Sequence, residues 1–70
     1  MVCQNVTSTN IKTVCYNSVE RTLRIVFYQG GVYDYQGVPE KIFKHLLGAS
    51  SKGSFFTDFI KDRYQTLRIA

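Results

Sequence analysis

Residues 22–36 read TLRIVFYQGGVYDYQ and contain the pattern that decides the fold. Apolar residues alternate with other residues through positions 22–29, which is typical of a half-buried β-strand. Gly30 and Gly31 follow, and glycines accept the positive φ that a tight hairpin requires. Residues 32–36 are again compatible with a strand, so the stretch predicts a hairpin of two antiparallel strands.

The loop length decides which face of the sheet carries Tyr33 and Tyr35, because side chains alternate along a strand. A two-residue loop places both tyrosines beside Arg24, on a surface of the kind that stacks on RNA bases, and buries Asp34 on the apolar face. A three-residue loop over residues 29–31 reverses these faces and turns Asp34 to water. Burying an unpaired carboxylate costs several kcal/mol, so the sequence favours the longer loop. The tyrosine rings then pack beneath the helices, with hydroxyls that reach hydrogen-bond partners at the edge.

Two helices are predicted after the hairpin. Pro39 suits a first helical position, apolar residues then recur at helical spacing, and Gly48 is able to adopt a left-handed cap. These signals predict a helix over residues 39–47. Ser54 suits the N-cap of a second helix over residues 55–62, whose apolar residues recur at i, i+3 and i+4.

The remaining segments complete the predicted fold. Residues 11–17, IKTVCYN, are rich in β-branched and aromatic residues and are predicted as the first strand. Leu67 and Ile69 lie two positions apart and allow a short C-terminal strand. The predicted class is α+β, a small antiparallel three-stranded sheet followed by two short helices in the order β-β-β-α-α. Residues 1–70 form one domain, and residues 1–5 are expected to be flexible.

Length and composition exclude several classes of protein. A chain of 70 residues buries only about 60% of its unfolded surface, which leaves a small core. No apolar run approaches the roughly 20 residues needed to cross a bilayer. The first ten residues, MVCQNVTSTN, lack the basic start and apolar centre of a secretory signal. The sequence therefore predicts a soluble, cytoplasmic protein with no membrane partner.

No metal site, cofactor or catalytic residue is predicted. Cys3 and Cys15 are too few for a disulfide scaffold, and we expect a terminal thiol and a small apolar strand residue. His45 is the only histidine, with no serine or cysteine partner in a local motif. The carboxylates show no pairing suited to acid–base chemistry. We therefore expect a binding module rather than an enzyme.

The segment SSKGSFF, residues 50–56, is a candidate phosphate site. A helix N-terminus presents free backbone N–H groups, Lys52 adds a cation, and Gly53 lets an anion approach the backbone. The alternative is a flexible, capped linker. The formal net charge of +4, from nine basic and five acidic residues, permits an anionic partner and equally serves solubility.

A second basic region lies near the C-terminus, where Lys61, Arg63 and Arg68 are cations and Tyr64 lies among them. Interleaved cations and aromatic rings suit neutralisation of a nucleic-acid backbone together with base stacking. The alternative is a solvated helix end whose cations favour its negative pole. Arg24 is a further predicted phosphate contact, and Tyr28 a further exposed aromatic face.

These motifs together resemble the KTSC domain family. The matching segments are STNI (8–11), VxY (14–16), LxIxF (23–27), GGVYDYxGVP (30–39), SKGSFF (51–56) and IKDRY (60–64). Tyr33 and Tyr35 form the YxY hallmark, in one motif with Gly30 and Pro39. The resemblance covers about residues 6–65. Departures are small: Phe56 and Thr57 stand where the family often has tyrosine and asparagine.

The resemblance implies a free-standing member of a family named for the C-terminus of some lysyl-tRNA synthetases and present in bacteria and their phages. The synthetase context suggests RNA, including tRNA, as the partner. The predicted function is binding of RNA or another polyanion through a basic surface. The alternative is a protein-interaction module of phage or mobile-element origin that acts on a host protein. A three-stranded sheet also leaves edges that allow a homo-oligomer.

Overall fold

A computed structural model describes residues 1–70 and shows an α+β fold built on one five-stranded antiparallel sheet. The elements are β1 (Val2–Asn5), β2 (Ile11–Asn17), β3 (Thr22–Phe27), β4 (Val32–Gln36), α1 (Glu40–Gly48), α2 (Lys52–Phe59) and β5 (Gln65–Arg68). The strands lie side by side in chain order. The α+β class, the three predicted strands and the optional C-terminal strand are confirmed. The prediction for residues 1–5 is wrong, because Val2–Asn5 pair with β2 along their whole length.

The hairpin of β3 and β4 places both tyrosines on the inner, apolar face of the sheet. Leu23 pairs with Tyr35 and Ile25 with Tyr33, as the three-residue loop requires. The loop itself lies one residue earlier than predicted, because the Phe27 N–H donates to the Gly31 carbonyl at 3.0 Å and leaves residues 28–30 between them. The strand accordingly ends at Phe27 rather than at residue 29.

The inner face of the sheet and the two helices enclose the core. Its eleven buried residues are Ile11, Val14, Tyr16, Leu23, Ile25, Tyr35, Val38, Phe43, Leu46, Phe56 and Ile60. The ring of Tyr16 stacks on Phe43 of α1, with 5.1 Å between ring centroids, and its hydroxyl donates to the Val38 carbonyl. A register shift between Ile11 and Thr13 turns Ile11 inward, so β2 contributes an extra core residue at its start.

Helix α1 differs from its prediction at both ends. Pro39 is the N-cap, with extended backbone (φ −65°, ψ 148°), and the helix begins at Glu40. Gly48 remains helical, so the predicted left-handed cap at Gly48 is wrong. The chain instead leaves the helix through Ala49, which is extended (φ −70°) and donates its N–H to the Leu46 carbonyl.

Helix α2 begins earlier than predicted. Ser51 is its N-cap, because the Ser51 Oγ accepts from the Ser54 N–H at 3.3 Å. The predicted cap at Ser54 is therefore wrong, and the helix runs over Lys52–Phe59 rather than 55–62. Serine at both positions made the two caps indistinguishable in the sequence. Neither helix is long and apolar enough to span a membrane.

Cys3 and Cys15 form a disulfide bond on the outer face of the sheet, so the prediction of two free cysteines is wrong. The two residues are directly opposite each other in the pairing of β1 with β2. Without β1 in the predicted fold, nothing in the sequence placed Cys3 near Cys15. The bond ties the edge strand to the sheet.

Asp34 lies on the outer face of the sheet, as the three-residue loop predicts, but its side chain does not face water. It is only 8% exposed. Arg24, directly opposite on β3, forms an ion pair with it at 2.7 Å. The carboxylate is buried because it has a partner, and the prediction that Asp34 turns to water is wrong.

Candidate nucleic-acid interface

A polar cleft lies where the loop before β2 meets the start of α2. It has a volume of about 440 Å³ and is lined by residues 7–10 and 50–53, none of them hydrophobic. These two segments overlap the STNI (8–11) and SKGSFF (51–56) motifs, which are far apart in the sequence. Their proximity depends on the packing of α2 against the sheet, so no local pattern in the sequence indicated it.

Short side chains hold the two walls of the cleft together. The Ser8 Oγ accepts from the backbone N–H groups of Asn10 and Ile11, at 3.4 and 3.3 Å, and so fixes the turn before β2. The Asn10 carboxamide then lies against Gly53, where an added Cβ would be 3.1 Å from the Asn10 Oδ1. Gly53 therefore permits close contact between the walls, in addition to leaving its backbone accessible.

Lys52 and Gly53 lie in the first turn of α2 and line this cleft. Backbone N–H groups of a first helical turn lack intrahelical acceptors and carry partial positive charge, which favours an anion. The Lys52 ammonium donates to the Ala49 carbonyl at 2.8 Å. Lys52 is therefore held beside the end of α1. A neighbouring cavity continues along α2 to Asp58, so an anion is favoured at the Ser50–Gly53 end.

The predicted C-terminal residues occupy three different environments. Lys61 is exposed and forms no ion pair. The Arg63 Nε donates to the Asp58 carbonyl at 2.9 Å, which caps the last turn of α2. The ring of Tyr64 is half-buried against the core and is not a free stacking surface. Arg24 lies on the outer face, bound to Asp34, and we leave it out of the interface.

Tyr28 is an exposed aromatic residue whose backbone contacts the wall of the polar cleft. Its side chain is 58% exposed. Its backbone N–H donates to the carbonyl of Asn10, a residue of the cleft wall. The hairpin loop is therefore attached to the cleft wall at a residue with an accessible ring, a type of side chain on which bases stack.

A second cavity, which we call the aromatic pocket, lies on the other side of the hairpin loop and has a volume of about 450 Å³. Its apolar lining consists of Phe27, Tyr33, Tyr35 and Phe56. Phe56 packs edge-on against Phe27 and Tyr35, with 5.5 Å between ring centroids in both pairs. The Tyr35 ring packs against α2 as predicted, whereas the Tyr33 ring packs against Phe27. The predicted hydrogen-bond partners of the two tyrosine hydroxyls are absent, because neither hydroxyl bonds to the protein.

The fold is that of a small α+β domain, with one antiparallel sheet and both helices packed on one of its faces. No group of three or more His, Cys, Asp or Glu side chains is arranged to hold a metal ion. Within this class, the chain belongs to the KTSC domain family, whose family model matches residues 7–64. The family resemblance of the sequence motifs is thereby confirmed.

The chain is similar to small proteins of about its own length and to a segment of much longer lysine–tRNA ligases. A crystal structure of a KTSC domain protein from Yersinia pestis superposes with a TM-score of 0.95 at 37% identity, over 97% of this chain and 96% of that one. A protein of Tsukamurella paurometabola is 33% identical over 94% of this chain and 98% of its own length. Neither name assigns a catalytic activity. A lysine–tRNA ligase of Trichormus variabilis is 40% identical over 55 residues. The chain spans only 10% of the length of that ligase.

Proposed function

We propose that this KTSC domain is a non-enzymatic RNA-binding module. The observation that carries the proposal is an excess of cations without a carboxylate partner, one of which, Lys52, lines a cleft of polar and backbone groups. The protein has nine lysines and arginines. Two of them, Arg24 and Lys44, form ion pairs, which leaves seven without a carboxylate partner. Such cations attract the phosphates of a nucleic acid.

The polar cleft supplies the groups that would hold a phosphate in place. Serine and threonine hydroxyls and the first turn of α2 line it, and Lys52 adds a fixed positive charge at its edge. Hydroxyls, backbone N–H groups and helix N-termini are the usual partners of phosphate oxygens in nucleic-acid complexes. Lys61 and Arg63, at the other end of α2, would neutralise further phosphates of the same strand.

Relatedness to a segment of lysine–tRNA ligases supports RNA over other polyanions. Those enzymes act on tRNA by name, and the matching segment of 55 residues is similar to most of this domain.

The experiment is a fluorescence anisotropy titration of labelled tRNA and single-stranded RNA at several salt concentrations. About three neutralised phosphates predict a slope of log K against log salt near −2 for a single strand, at about −0.7 for each phosphate. Absence of binding at low salt, or an affinity that does not change with salt, would rule the proposal out.

A pair of serine variants tests the polar cleft separately. Ser50→Asp places a carboxylate in the cleft at an exposed position that leaves the Ser51 cap intact. Ser18→Asp makes the same change of charge at an exposed position in the turn between β2 and β3. We expect the cleft variant to bind RNA at least about tenfold more weakly than the turn variant, since a carboxylate repels phosphate at close range. Equal affinities would exclude the cleft from the interface.

The outer face of the sheet favours a second candidate function, a protein-interaction module. No helix covers this face, and on β5 and just beyond it the side chains of Leu67 and Ile69 are each 47% exposed. Exposed apolar residues beside a free sheet edge suit strand addition by a host protein or by a second copy of the chain. Affinity purification with and without nuclease separates the two functions, because a nuclease-resistant protein partner would favour the second.

A further inference from the structure

We propose that the aromatic pocket binds one unstacked guanine base of a single-stranded RNA. This inference rests on the RNA-binding function proposed above and assigns part of the specificity to a second site. The pocket volume of about 450 Å³ falls within the range of about 300–1,000 Å³ typical of small-ligand sites. Its aromatic walls match a flat heterocycle, because bases that leave a stack pack against aromatic side chains.

The walls of the pocket are held rigid by their neighbours. Phe56 of α2 contacts rings of both hairpin strands, and Phe27 and Tyr33 pack edge to face at 6.0 Å. The Arg68 guanidinium lies 5.6 Å from the centre of the Tyr33 ring and covers one of its sides. A preformed cavity of this kind loses little conformational entropy when a ligand enters.

The hydroxyls of Tyr33 and Tyr35 are available to a ligand. The Tyr16 hydroxyl, in the core, donates to the Val38 carbonyl, as a buried tyrosine normally does. No buried side-chain oxygen or nitrogen in the molecule lacks a partner. The two unbonded hydroxyls of the pocket are therefore not completely buried, although Tyr35 as a whole is only 5% exposed. They are free to bond to the polar edge of a base.

Asp62 gives the pocket its selectivity for one base. It lines the pocket, forms no ion pair, and lies close enough for its charge to act on the Tyr35 hydroxyl. An ionised carboxylate accepts hydrogen bonds and donates none. Guanine presents two adjacent donors, N1–H and N2–H, which match the two carboxylate oxygens. The amino groups of adenine and cytosine, in contrast, stand next to an acceptor nitrogen that the carboxylate repels.

The position of the pocket suits a base whose strand also reaches the polar cleft. Helix α2 contributes Gly53 to the cleft and Phe56 to the pocket. In the hairpin loop, Tyr28 bonds to the cleft residue Asn10, while the next residue, Gln29, lines the pocket. Lys61 lies at the pocket itself and supplies a cation for the phosphate of the bound nucleotide.

The test is an NMR titration of the protein with the 5′-monophosphates of guanosine, adenosine, cytidine and uridine, and with ribose 5-phosphate. We expect guanosine monophosphate to shift the ring signals of Tyr33 and Tyr35 and to bind at least about fivefold more tightly than the other nucleotides. Ribose 5-phosphate, which lacks a base, should leave both rings unchanged. Ring signals that do not respond to any nucleotide would overturn the proposal.

Asp62→Asn tests the selectivity without disturbing the backbone. Asp62 has a positive φ of 62°, a conformation that asparagine tolerates as well as aspartate does. We expect this variant to lose the preference for guanosine monophosphate, whereas Glu20→Gln, at an exposed site in the turn between β2 and β3, should retain it. An unchanged preference in Asp62→Asn would overturn the assignment of guanine.

The two proposals fail in different ways. Salt-dependent binding of RNA polymers without any response of the pocket rings overturns the guanine site and leaves the RNA-binding function in place. A guanine-selective response of the rings in a protein that binds no RNA polymer supports the pocket as a guanine site and overturns the RNA-binding function.

Discussion

Arg24 holds the carboxylate of Asp34 with two parallel hydrogen bonds, from Nε to Oδ1 at 2.7 Å and from Nη2 to Oδ2 at 3.0 Å. The two residues are directly opposed on the central strands β3 and β4. The side-chain hydrogen bond with Asp34 raises the pKa of Arg24, against the opposing effect of its burial. Because the ion pair satisfies both charges, Asp34 can be buried on the outer face of the sheet. Tyr33 and Tyr35, its neighbours on β4, then lie on the inner face.

Arg24→Met should lower the free energy of unfolding by about 2–3 kcal/mol, because it leaves the buried Asp34 carboxylate without its partner. The double variant Arg24→Met, Asp34→Leu should recover most of this loss, since no unpaired charge remains. Urea denaturation measures both. Lys44→Met is the matched control: it breaks the exposed pair with Glu40, at 3.6 Å, and should change stability by no more than about 0.5 kcal/mol. A loss as small as the control's in Arg24→Met would contradict the role of the pair.

The disulfide between Cys3 and Cys15 should stabilise the oxidised protein by about 2 kcal/mol, since it closes a short loop in the unfolded chain and ties the edge strand β1 to the sheet. Unfolding in urea with and without a reductant measures this difference. Cys3→Ala is the control, because a reductant should have no effect on its stability. Detection of two free thiols in the native, unreduced protein would show that the bond does not form.

The parts of the fold that the sequence predicted are those in which local pattern and burial agree. Residues 11–17 and 32–36 are strands with the predicted bounds, and the cost of burying Asp34 unpaired selected the correct hairpin parity. Strand β1 was missed because all four of its residues are exposed, so it carries no apolar alternation. Its stability comes from pairing with β2 and from a disulfide that only the folded chain brings together.

The candidate site was predicted less completely, because both cavities are formed by segments distant in sequence. SSKGSFF (50–56) was predicted as a phosphate site, but its opposite wall, the loop at Asn10, is brought there by packing. Tyr33 and Tyr35 were assigned to the inner face, where they do lie, but that face is open at its edge and forms a pocket with Phe56 and Asp62. The length of the hairpin loop predicts on which face of the sheet a side chain lies. It does not predict whether other side chains fill the space over that face or leave a cavity.

Tyr35 should titrate later than an ordinary tyrosine. Burial, and then the neighbouring Tyr33 and Asp62, raise the pKa of Tyr35 to about 12. The unfolded chain has a tyrosine pKa of about 10, so the folded state prefers the neutral hydroxyl. The contribution of neutral Tyr35 to stability is therefore complete below pH of about 10 and is lost as the pH rises towards about 12.

The absorbance of the phenolate, followed with pH in the folded protein, measures this titration. Tyr35→Phe should remove the latest phase of the curve, whereas Tyr28→Phe, at an exposed position, should leave that phase in place. Asp62→Asn should shift the latest phase to lower pH, because a neighbouring negative charge disfavours the phenolate. A latest phase that persists in Tyr35→Phe would assign it to another tyrosine.

Gly31 should tolerate a side chain far less well than its neighbour Gly30. Both have positive φ, +102° and +108°, so alanine is strained at either position. A Cβ on Gly31 would also lie 2.2 Å from the Ala70 carbonyl oxygen, which accepts the Val32 N–H, whereas no atom lies within 4 Å of a Cβ on Gly30. We expect Gly30→Ala to lower the free energy of unfolding by about 1–2 kcal/mol and Gly31→Ala to lower it clearly more, because the clash adds to the strain.

Urea denaturation compares the stabilities of the two variants. Deletion of Ala70 in the Gly31→Ala background should restore part of the difference. Equal losses in the two alanine variants would mean that the C-terminus is not held against the hairpin loop.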